Sequence, residues 1–184
     1  MPAAESTMLP LGTEAPDFSL PDVTSAKTVT LRSLPGERPL LVMFLCRHCP
    51  FVIHVQAGLA ALGRDYAKKI AIVAIASNDA KSHPSDAPPG LKEQAQELGF
   101  TFPYLYDESQ EVAHAYHAAC TPDFFLFDKS RRLVYRGQFD GSRPSNSIAV
   151  SGEDLRRAID TTLEGKPISF EQRPSVGCSI KWKN

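Results

Sequence analysis

The stretch LLVMFLCRHCP, residues 40–50, decides the fold. Its first six residues form a continuous apolar run, which is typical of a strand buried on both faces of a sheet. Cys46 and Cys49 follow, and then Pro50, a residue favoured at the first position of a helix because its missing N–H costs nothing there. The stretch therefore predicts a buried strand that leads through a C-x-x-C pair directly into a helix.

The residues after Pro50 continue this pattern. Apolar side chains recur at spacings of three and four, which places them on one stripe of a helix. A second apolar run, residues 70–75, follows that helix. Strand, helix and strand in this order predict two parallel strands joined by a right-handed crossover. The stripe consists of Val52, Val55, Leu59, Leu62 and Tyr66.

Shorter patterns complete the fold prediction. Asp107 and Gln110 resemble a capping pair that opens a helix to about Ala118. Together the patterns predict an α/β fold with a central mixed sheet, helices on both faces and an N-terminal β-hairpin extension. The other predicted elements are a hairpin within 11–35, a loop at 78–90, a short helix at 91–98, a strand at 102–106, a hairpin at 124–135 and a last helix from about 151 to 165; the tail from 168 has no clear period.

Composition excludes several classes of protein. The chain has 184 residues, 42% hydrophobic and 22% charged, with a formal net charge of −1. Such a chain fits one domain, and its balanced charge argues against nucleic-acid binding. No apolar run reaches the roughly 18 residues that cross a bilayer, and residues 1–10 do not resemble a secretory signal. We therefore expect a cytoplasmic protein that binds neither nucleic acid nor membrane.

The cysteine pair carries the predicted chemistry. A cysteine at the start of a helix faces free N–H groups and the positive end of the helix dipole, and both favour the thiolate. Because Pro50 favours the first helical position, Cys49 is the expected N-cap and attacking thiolate, with Cys46 as its partner. Arg47 and His48 add positive charge, and His48 as imidazolium is expected to stabilise the thiolate further.

A structural zinc site is the alternative interpretation of a C-x-x-C pair. Such a site needs two more ligands at suitable spacing, and the other two cysteines, Cys120 and Cys178, are isolated in the sequence. A redox role is therefore favoured, with no bound metal or cofactor. Cys120 and Cys178 remain possible resolving or auxiliary thiols, or else buried or exposed free thiols.

The motifs together resemble one family. APDFSLP at 15–21, CRHCP at 46–50 and Thr121-Pro122 are similar to the alkyl hydroperoxide reductase/thiol-specific antioxidant (redoxin) branch of the thioredoxin superfamily. CTPDFFLFD at 120–128 and GCSIKWK at 177–183 resemble a group of bacterial thioredoxin-family proteins with a CxHCP motif. The resemblance implies a thioredoxin-like redoxin domain over 11–165, with the tail 166–184 packed on it.

The resemblance also implies roles for single residues. Pro122 is expected to be a cis-proline beside the cysteine pair, and Thr121 to expose backbone groups that bind a substrate. Cys49-Pro50 is similar to the peroxidatic Cys-Pro of peroxiredoxins, although Cys46 stands where those proteins have a threonine. The arginine that orients peroxide in them is missing before the last hairpin, unless Arg136 or Arg143 replaces it.

These features predict a thiol–disulfide oxidoreductase. Its partners are expected to be a disulfide-containing protein or small molecule and a thiol electron donor. Two alternatives stay open: a peroxiredoxin-like thiol peroxidase with Cys49 as the peroxidatic cysteine, and a thioredoxin-like interaction module without catalysis. The oligomeric state does not follow from the sequence.

Overall fold

A computed structural model describes residues 3–184 of the chain, which form ten β-strands and four α-helices. The helices are α1 (Pro50–Tyr66), α2 (Pro88–Leu98), α3 (Glu111–Ala115) and α4 (Glu153–Leu163). The strands, in chain order, are β1 (Ala3–Glu5), β2 (Ser19–Pro21), β3 (Thr28–Thr30), β4 (Leu40–Phe44), β5 (Ala71–Ala76), β6 (Tyr104–Tyr106), β7 (Cys120–Thr121), β8 (Asp123–Phe127), β9 (Leu133–Tyr135) and β10 (Val176–Ser179).

The largest sheet has five strands in the spatial order β6-β5-β4-β8-β9. β4, β5 and β6 run parallel, whereas β8 and β9 are antiparallel to their neighbours. The sheet is therefore mixed in direction, and the predicted strand–helix–strand unit is its centre. The predicted N-terminal hairpin is also present, as the two-stranded pair of β2 and β3.

The central strand β4 is buried on both faces. Successive side chains of a strand point to opposite faces. Leu41 and Met43 belong to the apolar cluster that includes residues of α1, α2 and α4, whereas Val42 and Phe44 belong to the cluster with α3. Helices thus cover both faces of the sheet, as the sequence predicts, and β4 delivers the C-x-x-C pair at its carboxyl end.

Two helix boundaries differ from the sequence prediction. α2 begins at Pro88, inside the predicted loop, because two prolines fit the first turn of a helix where no N–H partner is needed. α3 ends at Ala115 rather than near Ala118, since His117 has a φ of 51°, in the left-handed region that a helix does not continue.

The tail contributes a strand that the sequence does not predict. β10 lies between β1 and β7 in a second, three-stranded sheet. Within it Cys178 is opposite Thr121 on one side and Ala3 on the other. The C-terminal segment is therefore joined to the strand that precedes Pro122.

A membrane-spanning helix is not found in the part of the chain that the structure describes, since none of its helices is long and apolar enough.

Gly177 allows β10 to approach β7 closely. A Cβ added there would lie 2.0 Å from the carbonyl oxygen of Thr121, which is backbone and cannot turn away. We expect Gly177→Ala to lower the free energy of unfolding by about 1–3 kcal/mol through overpacking. Gly36→Ala is the matched control, because a Cβ there meets nothing within 4 Å. Urea unfolding measures both variants, and equal midpoints would contradict the close approach.

Candidate active site

The site lies where the chain leaves β4 and begins α1. Cys49 is the N-cap of α1, with an extended backbone (φ −70°, ψ 123°), and Pro50 occupies the first turn. Cys46 lies three residues earlier, in the loop between the strand and the helix. Both cysteines have 0% of their surface exposed, so the pair is enclosed in this structure.

Thr121 contacts both sulfurs. Its Oγ1 is 3.2 Å from the Sγ of Cys46, and its carbonyl oxygen is 3.2 Å from the Sγ of Cys49. The peptide bond between Thr121 and Pro122 is cis, the isomer that the family resemblance implies. The proline loop and the cysteine pair therefore form one site.

Hydrogen bonds favour ionisation of Cys49. The side chain of Cys46 donates to the Cys49 sulfur, and this is the main reason that the pKa of Cys49 falls to about 5. Burial of the Cys49 sulfur raises its pKa. Hydrogen bonds to this sulfur from the Cys178 thiol and from the backbone N–H groups of Val52 and Cys178 lower it, and together with the bond from Cys46 they outweigh the burial. The N-terminus of α1 adds favourable partial charge. These donors together favour the thiolate form of Cys49.

Cys46 shows the opposite behaviour. Its pKa is raised well above the ordinary value, first because its hydrogen bond to Cys49 requires the proton, and then because it is buried and near the negative charge of Asp86. The pair is therefore poised as one thiolate and one thiol, which are the two protonation states that thiol–disulfide exchange uses.

Asp86 holds the loop that carries the cysteines. One carboxylate oxygen accepts from the backbone N–H groups of Arg47 (2.8 Å) and His48 (3.3 Å). The other accepts from Nδ1 of His48 (2.5 Å) and from Nδ2 of Asn78 (2.8 Å). Since Asp86 is fully buried, these four donors satisfy a charge that would otherwise be costly to bury.

The two basic side chains of the loop, Arg47 and His48, form hydrogen bonds to residues outside the loop. The guanidinium of Arg47 donates to the carbonyl of Gly90 (2.9 Å) and to Glu93 (2.5 Å), both in α2. His48 donates to Asp86 and stacks on His83. The positive charge of these two side chains is expected from the sequence to lower the pKa of the attacking thiol. In the structure they bind the loop to its surroundings, and sulfur and N–H donors act on Cys49 instead.

Three of these groups are close enough to hold a metal ion. One ligand atom each of Cys46, His48 and Asp86 lies within 4.8 Å of the others. The oxygens of Asp86 already accept hydrogen bonds from His48 and Asn78, so an ion would have to displace these donors. The cluster therefore fits its role in holding the loop better than it fits a metal centre.

The strand β10 covers the expected substrate-binding edge. From the family resemblance Thr121 is expected to expose backbone groups to a substrate, but Thr121 is buried and pairs with Cys178. Cys178 lies beside the cysteine pair, because the carbonyl oxygen of its partner Thr121 is 3.2 Å from the Cys49 sulfur. Cys120 lies nearby, with its thiol 3.6 Å from the Pro122 carbonyl and 3.8 Å from that of Ser175. Burial raises the pKa of Cys120, so this thiol stays protonated.

The two arginines considered as peroxide ligands are engaged elsewhere. Arg136 donates to the Leu9 carbonyl and to the side chain of Gln172. Arg143 donates to Gln138 and to the carbonyl of Asp140. Neither guanidinium is therefore available as it stands to polarise an oxidant at Cys49.

Sequence reasoning missed Asp86, Asn78 and Gln94. Gln94 donates weakly to the Cys46 carbonyl (3.4 Å) and accepts from the hydroxyl of Tyr104 (3.2 Å). All three are polar residues within or just after the proline-rich stretch predicted as a loop, where such residues are common on the surface. Only the folded arrangement shows that they are buried against the cysteine loop.

Two solved structures are similar over almost the whole chain. An uncharacterised conserved protein from Geobacillus kaustophilus is 54% identical, with a TM-score of 0.97, over 100% of this chain and 97% of that one. A hypothetical protein from Sinorhizobium meliloti is 48% identical, with a TM-score of 0.95, over 97% of this chain and 98% of that one. A search of curated proteins finds no match.

A more distant structure shares the fold. It is a putative thiol:disulfide interchange protein DsbE from Chlorobium tepidum, 22% identical with a TM-score of 0.65, over 84% of this chain and 99% of that one. The family model for AhpC/TSA matches residues 11–136, more than half of the chain, including the cysteine pair and the cis-proline. The chain therefore belongs to the AhpC/TSA family, and it has a thioredoxin-like fold.

Proposed function

We propose that the protein is a thiol–disulfide oxidoreductase in which Cys49 attacks and Cys46 resolves. The observation that carries the proposal is the hydrogen bond from Cys46 to Cys49, which lowers the pKa of Cys49 and raises that of Cys46. A nucleophile and a protonated second thiol then stand side by side at the start of one helix. Family membership supports thiol redox chemistry in general, and the cysteine pair supports disulfide exchange in particular.

The reaction follows from these two states. The Cys49 thiolate attacks one sulfur of a partner disulfide, forms a mixed disulfide and releases the first partner thiolate. Cys46 then attacks the Cys49 sulfur, and its proton passes to the second partner thiolate as that group leaves. The partner gains two electrons, and the protein is left with a Cys46–Cys49 disulfide. A cellular thiol donor returns the pair to its reduced state.

The partner must gain access to a covered sulfur. Both cysteines are fully buried, and β10 lies against the Thr121 edge beside them. We therefore propose that a disulfide-containing protein or small molecule reaches Cys49 when this cover opens. The loop itself stays in place during opening, because Asp86 binds it through three hydrogen bonds.

A thiol peroxidase is the second candidate, and its support is the family together with the low pKa of Cys49. Peroxide would oxidise the thiolate to a sulfenic acid, which a second thiol would convert to a disulfide with loss of water. The engaged side chains of Arg136 and Arg143 disfavour this activity. Stopped-flow peroxide consumption no faster than that of a free thiol would exclude it, and faster consumption would favour it.

Removing the Cys46 donor tests the cause of the low pKa. In Cys46→Ala we expect the midpoint of Cys49 alkylation to rise from about pH 5 by about 1–2 pH units, because a hydrogen bond to a charged group contributes about 1.5–3 kcal/mol. Iodoacetamide labelling against pH, with each cysteine followed by mass spectrometry, measures the midpoint. Below the midpoint Cys49 is a thiol and reacts slowly, and above it the thiolate reacts fast. An unchanged midpoint would show that Cys46 does not stabilise the thiolate.

Substitution of the nucleophile tests the activity. We expect Cys49→Ser to reduce insulin disulfides no faster than the uncatalysed background, because a hydroxyl does not replace a thiolate as nucleophile. Cys120→Ala is the matched control and should keep the wild-type rate, since the Cys120 thiol donates to the carbonyl oxygens of Pro122 and Ser175. Circular dichroism confirms that both variants fold. Equal insulin reduction by wild type and by Cys46→Ser/Cys49→Ser would favour a module without catalysis.

A further inference from the structure

The C-terminal strand brings a third thiol to the reaction centre. Cys178 lies at the middle of β10, which is held by β1 on one side and by β7 on the other. The residue is buried, with 4% of its surface exposed. Backbone pairing on both sides therefore fixes the position of Cys178, which lies 129 positions after Cys49 in the sequence.

The place of β10 against the proline loop is specific. A side chain at Gly177 would collide with Thr121 and would come within 3.1 Å of the Pro122 nitrogen. On the other side of Gly177, Ser175 donates its hydroxyl to the Pro122 carbonyl at 2.6 Å. The segment is thus fitted to the cis-proline loop, and this fit positions the thiol of Cys178.

Cys49 has two thiols beside it. Cys46 lies three residues earlier in the loop, and Cys178 lies opposite Thr121, whose carbonyl oxygen is 3.2 Å from the Cys49 sulfur. All three cysteines belong to one buried cluster. Hydrogen bonding from Cys46 and Cys178, which lowers the pKa of Cys49, agrees with this arrangement. The fourth cysteine differs, because the Cys120 thiol points to the carbonyls of Pro122 and Ser175. Among the residues that the structure describes, Cys46 and Cys178 share the buried cluster of Cys49, and Cys120 does not belong to it.

We propose that Cys178 is a third redox cysteine, which forms a disulfide with Cys49 as an alternative to Cys46. The proposal rests on the proposed role of Cys49 as the attacking thiolate. It adds a second resolving group, carried by the strand that covers the site.

The step balances without a further reagent. In the mixed disulfide between Cys49 and a partner, the Cys178 sulfur attacks the Cys49 sulfur. The Cys49–Cys178 bond forms, the bond to the partner breaks, and the leaving thiolate takes the electron pair and the proton from Cys178. Cys46 can then attack Cys49 in the same way and release Cys178 as a thiol. This second exchange moves the disulfide within the protein and causes no net oxidation.

A disulfide at Cys178 has a structural consequence that one at Cys46 lacks. Cys46 and Cys49 belong to the same loop and helix start, so their disulfide leaves β10 free to move. A Cys49–Cys178 disulfide would bind β10 covalently to α1. The oxidised protein then has two forms. With the Cys49–Cys178 disulfide, β10 cannot move away from the site. With the Cys46–Cys49 disulfide, β10 can still move away.

The test uses a variant that cannot form the first disulfide. Reduced Cys46→Ser is treated with oxidised glutathione, digested without reduction and analysed by mass spectrometry. We expect a peptide pair joined through Cys49 and Cys178, and loss of the glutathione adduct. Cys46→Ser/Cys178→Ser is the matched control and should keep glutathione on Cys49. Cys46→Ser/Cys120→Ala should behave like Cys46→Ser.

The outcomes separate the two proposals. A glutathione adduct on Cys49 that persists equally in Cys46→Ser and in Cys46→Ser/Cys178→Ser would overturn the role of Cys178 and leave the proposed function intact, as would a link to Cys120. Absence of any reaction at Cys49 in these variants and in the wild type would overturn both. Adding Gly177→Ala to Cys46→Ser should cause loss of the linked pair, because the added methyl group displaces β10; an unchanged yield would contradict positioning by β10.

Discussion

The Cys49 sulfur accepts hydrogen bonds at the beginning of a helix, and the rest of the site is arranged around this interaction. The buried strand β4 fixes where the chain emerges, and Pro50 fixes where α1 begins, so the cysteine between them becomes the N-cap. Donors then converge on it from the loop, from the first turn of the helix and from β10. An ionised sulfur in a buried place is stable only because these donors replace water.

Asp86 holds the irregular loop that carries the cysteines, which are buried away from water. Backbone N–H groups of the loop have no strand or helix partners there, and leaving them unpaired would be costly. A single buried carboxylate accepts from two of them and from the ring of His48. Its charge also opposes ionisation of Cys46, so the same residue that orders the loop helps to keep the second thiol protonated.

The sequence predicts the part of the fold that depends on local patterns. The unbroken apolar run of β4 and the three- and four-residue spacing in α1 are strong signals, and the structure has both elements. Gln110 shows the limit, since a capping role was predicted, but its side chain donates to the carbonyls of Ser77 and Lys181. Of the two predicted capping side chains, that of Asp107 accepts from the helix, at 2.9 Å from the Ala113 nitrogen. Partners that are distant in sequence decide such contacts.

For the same reason the sequence predicts neither the strand β10 nor the position of Cys178 beside Cys49. The strand has four residues, includes a glycine and a serine, and shows no alternation that would predict it. Its position depends on pairing with Thr121 and on space at Gly177, and neither is visible in a local pattern. The consequence for function is large, because this strand covers the attacking sulfur and brings Cys178 to it. The backbone groups of Thr121, predicted to be exposed to a substrate, are buried instead.

An NMR titration of the Cβ resonances of isotope-labelled cysteines would test the ionised state of Cys49 most directly, because no reagent has to reach the buried sulfur. We predict that Cys49 titrates with a midpoint near pH 5, while Cys46 and Cys178 stay protonated through neutral pH, since both pKa values are raised. A Cys49 midpoint at the ordinary value of about 8.5 for a free thiol would contradict a thiolate held by the Cys46 hydrogen bond.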